Sequence, residues 1–134
     1  MMRLSETIPA LPVRDVASSV GFYRDRLGFE PLHHDGGFAV VRRDAAVLHL
    51  WEPSDESWRK GVDFERPVCS GAESFIAGTA SCRIVVDGVD ELRTQDVLHP
   101  VSKKAVSATD FGTREFATLD RDGNLVTFFQ WVSQ

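Results

Sequence analysis

The chain has 134 residues, 43% of them apolar and 26% charged, the proportions of one ordinary globular domain. Fifteen Lys and Arg against twenty Asp and Glu leave a net charge of -5, which argues against nucleic acid or an anionic membrane as partner and favours a cationic one. No apolar run reaches the ~20 residues that span a bilayer, and the opening MMRLSETIPALPV holds no signal-peptide core. Two cysteines, Cys69 and Cys82, are too few for a disulfide framework. The expectation is a cytoplasmic protein with free thiols.

Taken in chain order, residues 6–13 read as a strand. Asp15 then suits the N-cap of a helix. Val16, Val20, Tyr23 and Leu27 make an apolar stripe at helical spacing, and Gly28 ends it as a C-cap. Strands follow over 29–35, 38–43 and 46–52, the last two joined by a tight turn at Asp44-Ala45. Residues 53–78 form a long connection with Trp58, Phe64 and Phe75 interleaved among Pro, Gly and acidic residues. A connection of that length usually has a job. A strand over 79–86 leads into a short helix that starts at Asp87 or Asp90 and fades before Pro100. Strands over 104–109, 113–119 and 125–132 complete the chain, with a turn at Asp122-Gly123-Asn124. The order strand, helix, strand, strand, strand thus occurs twice. At an offset of 78, Phe38/Phe116, Ala39/Ala117, Arg43/Arg121 and Asp44/Asp122 are identical. One α+β domain over 1–134 is expected, with a first module over about 1–53, a linker over about 54–78 and a second module over about 79–134.

These two βαβββ halves, with DVASSVGFYRDRLGFE in the first and FGTREFATLDRDGNLVTFF in the second, resemble the vicinal oxygen chelate superfamily. It includes glyoxalase I, extradiol dioxygenases, fosfomycin-inactivating thiol transferases and bleomycin resistance proteins. Ile8-Pro9-Ala10-Leu11, the run from Gly37 to Asp44, and Gly112-Thr113-Arg114-Glu115-Phe116-Ala117 look most like the bleomycin resistance branch. Members of that branch tend to carry a tryptophan before the last glycine, where this chain has Phe111. The resemblance implies half-cups built by the modules, and a strand-exchanged homodimer that encloses two clefts at its interface.

Enzymes of the superfamily hold a divalent metal with His, Glu or Gln from the first and last strands of each module. Those positions carry over to Ile8, His49, Ser81 and Thr127. Ile8 cannot coordinate, Ser81 and Thr127 are weak neutral donors, and His49 alone does not make a site. His33 and His34 point to opposite faces of a strand and do not chelate together. The chain also lacks a nucleophile elbow, an H-E-x-x-H helix and a Walker loop. No metal, cofactor or catalytic residue is therefore expected. Cys82 is read as a buried, inert thiol on the face opposite Arg83.

Strand alternation puts Val47, His49 and Trp51 on the cleft face, with Phe38, Val40 and Arg42, with Ser81 and Arg83, and with Leu125, Thr127, Phe129 and Trp131. Such an aromatic surface suits a planar organic ligand better than an ion. Phe38, His49, Trp51, Trp58, Phe64, Arg83, Phe111 and Phe129 are the candidate ligand residues. Competing readings stand beside several of them. Phe129 and Trp131 read first as core, Trp51 reads equally as core or contact, and Trp58 and Phe64 also suit a subunit interface. Asp55, Glu56, Asp63 and Glu65 are the acidic group suited to face a cation, although each one singly reads first as a solvated loop charge. The resemblance implies binding and sequestration of a bleomycin-like glycopeptide without bond chemistry. The alternatives are a metal-dependent enzyme of the glyoxalase or dioxygenase type with displaced ligands, and a binder of another small aromatic metabolite.

Overall fold

Period-two alternation of apolar residues organises the chain into two four-stranded sheets. The computed structural model describes residues 1–53, 77–95 and 106–132. In the first sheet β1 (Ala10–Pro12), β2 (Glu30–His34), β3 (Phe38–Arg43) and β4 (Ala46–Trp51) lie in the order β1-β4-β3-β2. In the second, β5 (Ser81–Val85), β6 (Ser107–Ala108), β7 (Thr113–Leu119) and β8 (Leu125–Trp131) lie in the order β5-β8-β7-β6. Each sheet has one parallel pair, β1·β4 or β5·β8, and two antiparallel pairs. The helices α1 (Val16–Leu27) and α2 (Val89–Arg93) follow the first strand of each half, so the βαβββ order is present twice. Much of the long connection, with Trp58, Phe64, Cys69, Phe75 and its acidic residues, lies outside the described residues, as does His99.

The stripe on α1 is buried as its spacing requires. Val16, Val20, Tyr23 and Leu27 are each at most 4% exposed and pack with Leu11, Val41, Leu48 and Leu50. Each such aliphatic burial contributes about 1.5–3 kcal/mol relative to the exposed side chain. Asp15 is the N-cap, but its carboxylate takes the Ser18 hydroxyl at 2.5 Å, and the Val16 N–H is met instead by Glu52 at 3.1 Å. Gly28 closes the helix in the left-handed region at φ 72°. Arg43 reaches over it to the Leu27 carbonyl at 2.8 Å.

Three sequence expectations need correction. The first strand is shorter than 6–13 and begins after Pro9, which has no N–H to donate to a ladder. Residues 1–7 are exposed. The cap of α2 is neither Asp87 nor Asp90 but Gly88, at φ 96°. The Gln130 side chain on β8 accepts from the Gly88 and Val89 N–H groups at 3.1 and 3.0 Å. Asp90 instead sits in the first turn and pairs with Arg114 at 2.7 Å.

The third correction concerns the repeat. Phe38 lies opposite Trp51 in the first hairpin, whereas Phe129, offset 78 from Trp51, lies opposite Glu115. The second hairpin loop is therefore one residue longer than the offset of 78 assumes. His49 and Thr127 keep that offset, but Phe38 corresponds to Glu115 rather than to Phe116. Phe116 is 6% exposed and packs against Phe128 in the core, while Phe38 lies on the opposite kind of face.

That longer loop joins the halves. Asp122 accepts the Arg14 N–H at 2.9 Å on one oxygen and the Ser19 hydroxyl at 2.7 Å on the other. Asp120 accepts the Asp122 and Asn124 N–H groups, the Tyr23 hydroxyl and the Asn124 amide, each at 2.9 Å. The Asn124 amide also donates to the Pro12 carbonyl and accepts from the Ala80 N–H. Asp120, Asp122 and Asn124 are at most 4% exposed. Buried polar groups of this kind are tolerated because they are bonded to this extent. Gly78 lies against the same loop at φ 85°, where an added Cβ would come 2.2 Å from the Asp122 carbonyl oxygen.

Candidate functional site

Alternation in β3 and β4 sends Ala39, Val41, Leu48 and Leu50 into the core and leaves Phe38, Val40, His49 and Trp51 on the other face. There the Phe38 ring meets His49 edge-on at 5.0 Å and lies 6.1 Å from His33. Trp51 is the direct partner of Phe38 across the ladder and is half-buried. His49 sits between Ala10 on β1 and Val40 on β3, neither of which offers a metal donor. His33 pairs with Asp35 at 3.0 Å. The Gly37 N–H, and after it His33, hold the Asp35 carboxyl below its ordinary range.

On the second sheet Cys82, Val126 and Phe128 face the core, and Arg83, Thr127 and Phe129 the opposite side. Arg83 stands over the Phe129 ring at 4.6 Å and over Phe111 at 6.0 Å. Its guanidinium donates to Glu115 at 2.7 Å, and the Thr113 hydroxyl donates to the same carboxylate oxygen at 2.9 Å. The Arg83 hydrogen bond is the chief reason the Glu115 carboxyl lies below its ordinary range. Trp131 meets Phe129 edge-on at 5.4 Å.

Of the candidate residues, Phe38, His49 and Trp51 are thus brought together on one sheet, and Arg83, Phe111 and Phe129 on the other. Trp58 and Phe64 lie outside the described residues. Trp131, read first as core, is 62% exposed. Phe129, at 7% exposure, is covered on the outer face by Arg83 and Trp131. Phe111 is 61% exposed. Glu115 and Thr113 were not among the candidates. The one-residue shift hid Glu115, because the offset of 78 set it against Gly37 instead of Phe38. Cys82 is buried, and that burial pushes its thiol up to about 11, with Asp120 adding to the effect. Adjacent Arg83 does not activate it.

A cavity of about 440 Å³ lies elsewhere, at the seam of the halves, between Phe29, Arg43 and Asp44 on one side and Ile84, Glu91 and Phe128 on the other. None of the candidate residues lines it. The outward aromatic faces, not this seam, carry the groups suited to a planar ligand. Among the described residues no group of three or more His, Cys, Asp or Glu could hold a metal ion.

Paired βαβββ units are the architecture of the glyoxalase, bleomycin resistance and dioxygenase fold. A protein of that description from Nocardioides superposes with a TM-score of 0.67 over 99% of this chain and 87% of its own, at 21% identity. Residues 7–42 match the family model for the bleomycin resistance protein-like N-terminal region. A bleomycin resistance protein of Geobacillus stearothermophilus is 50% identical over 131 residues, 95% of this chain and 97% of its own. The bleomycin-binding protein of the bleomycin producer Streptomyces verticillus, solved with copper(II)-bleomycin, superposes with a TM-score of 0.70 over the whole of both chains at 27% identity. The chain belongs to the bleomycin resistance protein family.

Proposed function

We propose that the protein binds a bleomycin-family glycopeptide and protects by sequestration, without breaking or making a bond. The observation that carries this reading is the 50% identity to a bleomycin resistance protein along almost the full length of both chains. The chemistry of the two outer faces supports it. Phe38, Trp51, Phe111 and Phe129 offer aromatic area for a planar ring system, and Glu115 offers a carboxylate beside it for a cationic group. Binding without catalysis needs no general base or nucleophile, and the buried thiol of Cys82 supplies none. Phe38, His49, Trp51, Phe111 and Phe129 are proposed as ligand contacts, with Trp58 and Phe64 from the connecting segment, and Arg83 as the side chain that holds the second face in the free protein.

In this reading two copies associate so that faces from both line each cleft, and the exposed segment ahead of β1 exchanges between them. Sequestration is placed in the cytoplasm. Calorimetry of the metal-free protein against metal-free and copper-loaded bleomycin tests the reading. Saturable binding at or below tens of micromolar drug is expected. The absence of heat, together with an unchanged tryptophan fluorescence, would remove bleomycin as the ligand. Elemental analysis of untagged protein is expected to give well under one equivalent of transition metal per chain. Stoichiometric metal lost on His49→Ala would turn the reading towards an enzyme.

A further inference from the structure

Phe111, Phe129, Glu115 and Thr113 line a site for one planar cation, and the cation that fills it is the protein's own Arg83 guanidinium. The guanidinium stands 4.6 Å from the centre of Phe129 and 6.0 Å from that of Phe111, within the range where a ring face attracts a cation. Its charge is met by Glu115 at 2.7 Å. The floor of the site is more deeply buried than its occupant. Phe129 is 7% exposed and Thr113, which holds the Glu115 oxygen, is 1% exposed. The Arg83 side chain is 46% exposed and springs from β5, the outer strand of its sheet. A buried floor under a half-exposed occupant, with Phe111 open to solvent beside it, leaves the occupant free to exchange.

We propose that Arg83 is an internal placeholder, whose guanidinium fills the slot between Phe111 and Phe129 until a planar, cationic part of the ligand displaces it and takes over Glu115. The proposal rests on the reading of the protein as a binder of a planar, cationic ligand. It assigns Glu115 as the carboxylate that changes partner on binding. In the free protein Arg83 keeps that carboxylate neutralised and the outer face of Phe129 covered. The same contacts then oppose the ligand, so Arg83 tunes affinity downward instead of adding to it.

Two probes, applied to the wild type, Arg83→Ala and Arg83→Ala/Glu115→Gln, test the placeholder. Benzamidinium, a planar aromatic cation, is titrated by saturation-transfer NMR, and copper(II)-bleomycin by calorimetry. Benzamidinium should bind Arg83→Ala about tenfold or more tightly than the wild type, and the double variant should lose that gain. Bleomycin should bind Arg83→Ala about 2- to 30-fold more tightly than the wild type, the factor expected for removing a competing cation–π contact. Benzamidinium binding that is absent from Arg83→Ala, or equal in the wild type, overturns the proposal. So does bleomycin affinity that is unchanged or weakened, which would make Arg83 a direct ligand contact. If the drug binds none of the proteins while benzamidinium follows the expected order, the slot stands and the drug assignment falls. Arg83→Gln, which keeps most of the aliphatic stem on β5, replaces the alanine variant if that one fails to fold.

Discussion

Tyr23 is the sole tyrosine of the chain, and its hydroxyl is tied to the buried Asp120 at 2.9 Å. Burial first, and then the Asp120 charge, push its ionisation well above the ordinary value of 10. A group whose folded pKa is raised contributes stability that is full below the unfolded value and is lost as pH rises past it. The phenolate absorbance should therefore appear in alkali together with unfolding and not as an independent titration above pH 10. Tyr23→Phe should cost about 1–3 kcal/mol, since it withdraws a donor from a buried carboxylate, and denaturant unfolding measures that loss directly. Glu115 has the opposite sign. Arg83 lowers its pKa below the ordinary 4.5, so its contribution is present above that value and fades as pH falls through the folded one. Glu115→Gln should flatten the acid limb of a stability-against-pH curve below about pH 4.5 and leave the neutral region's slope unchanged.

At the scale of elements, the loop from Asp120 to Asn124 does more than turn the chain. Asp122→Ala would strip partners from the Arg14 N–H and the Ser19 hydroxyl together. A loss of about 2–5 kcal/mol is expected, read by thermal and denaturant unfolding. Gly78→Ala should be similarly damaging for a different reason, because its Cβ would meet main chain that cannot step aside. Strands β3, β4, β7 and β8 were legible from alternation, because one face of each is buried, whereas β2 is exposed along its whole length. The cap of α2 was not, since its acceptor is Gln130, far along the chain. Nor was the length of the second hairpin loop. Asp44/Asp122 and Arg43/Arg121 matched as letters, but Asp122 is withdrawn to the seam while Asp44 stays in a two-residue turn between Arg43 and Ala46.

For the whole molecule, light scattering should give a mass near twice 14.9 kDa at micromolar concentration. A monomer would leave Phe111 and Trp131, each more than half exposed, with nothing to cover them and would remove the interface clefts. Binding of a cationic drug to a chain of net charge -5 should weaken as salt rises, while the aromatic part of the affinity persists. Phe38→Ala or Phe111→Ala should each cost about 1–3 kcal/mol of binding at any salt concentration. The candidate site was legible as two sets of side chains on known faces, since alternation assigns faces without coordinates. Which charges meet across those faces was not legible, because Arg83 and Glu115 come from strands separated by β8.

The extra residue in the second hairpin breaks the likeness of the two halves where a guest molecule would notice it. Had the repeat kept one offset throughout, both modules would present an aromatic ring at the same corner. Instead the first shows Phe38 and the second shows Glu115. In the proposed cleft, a guest held between one face of each kind would meet an aromatic ring, Phe38, on one side and a carboxylate, Glu115, on the other. A single inserted residue would thus give a near-symmetric cradle a direction, and a molecule with a flat ring system at one end and a cation at the other would lie in it one way round.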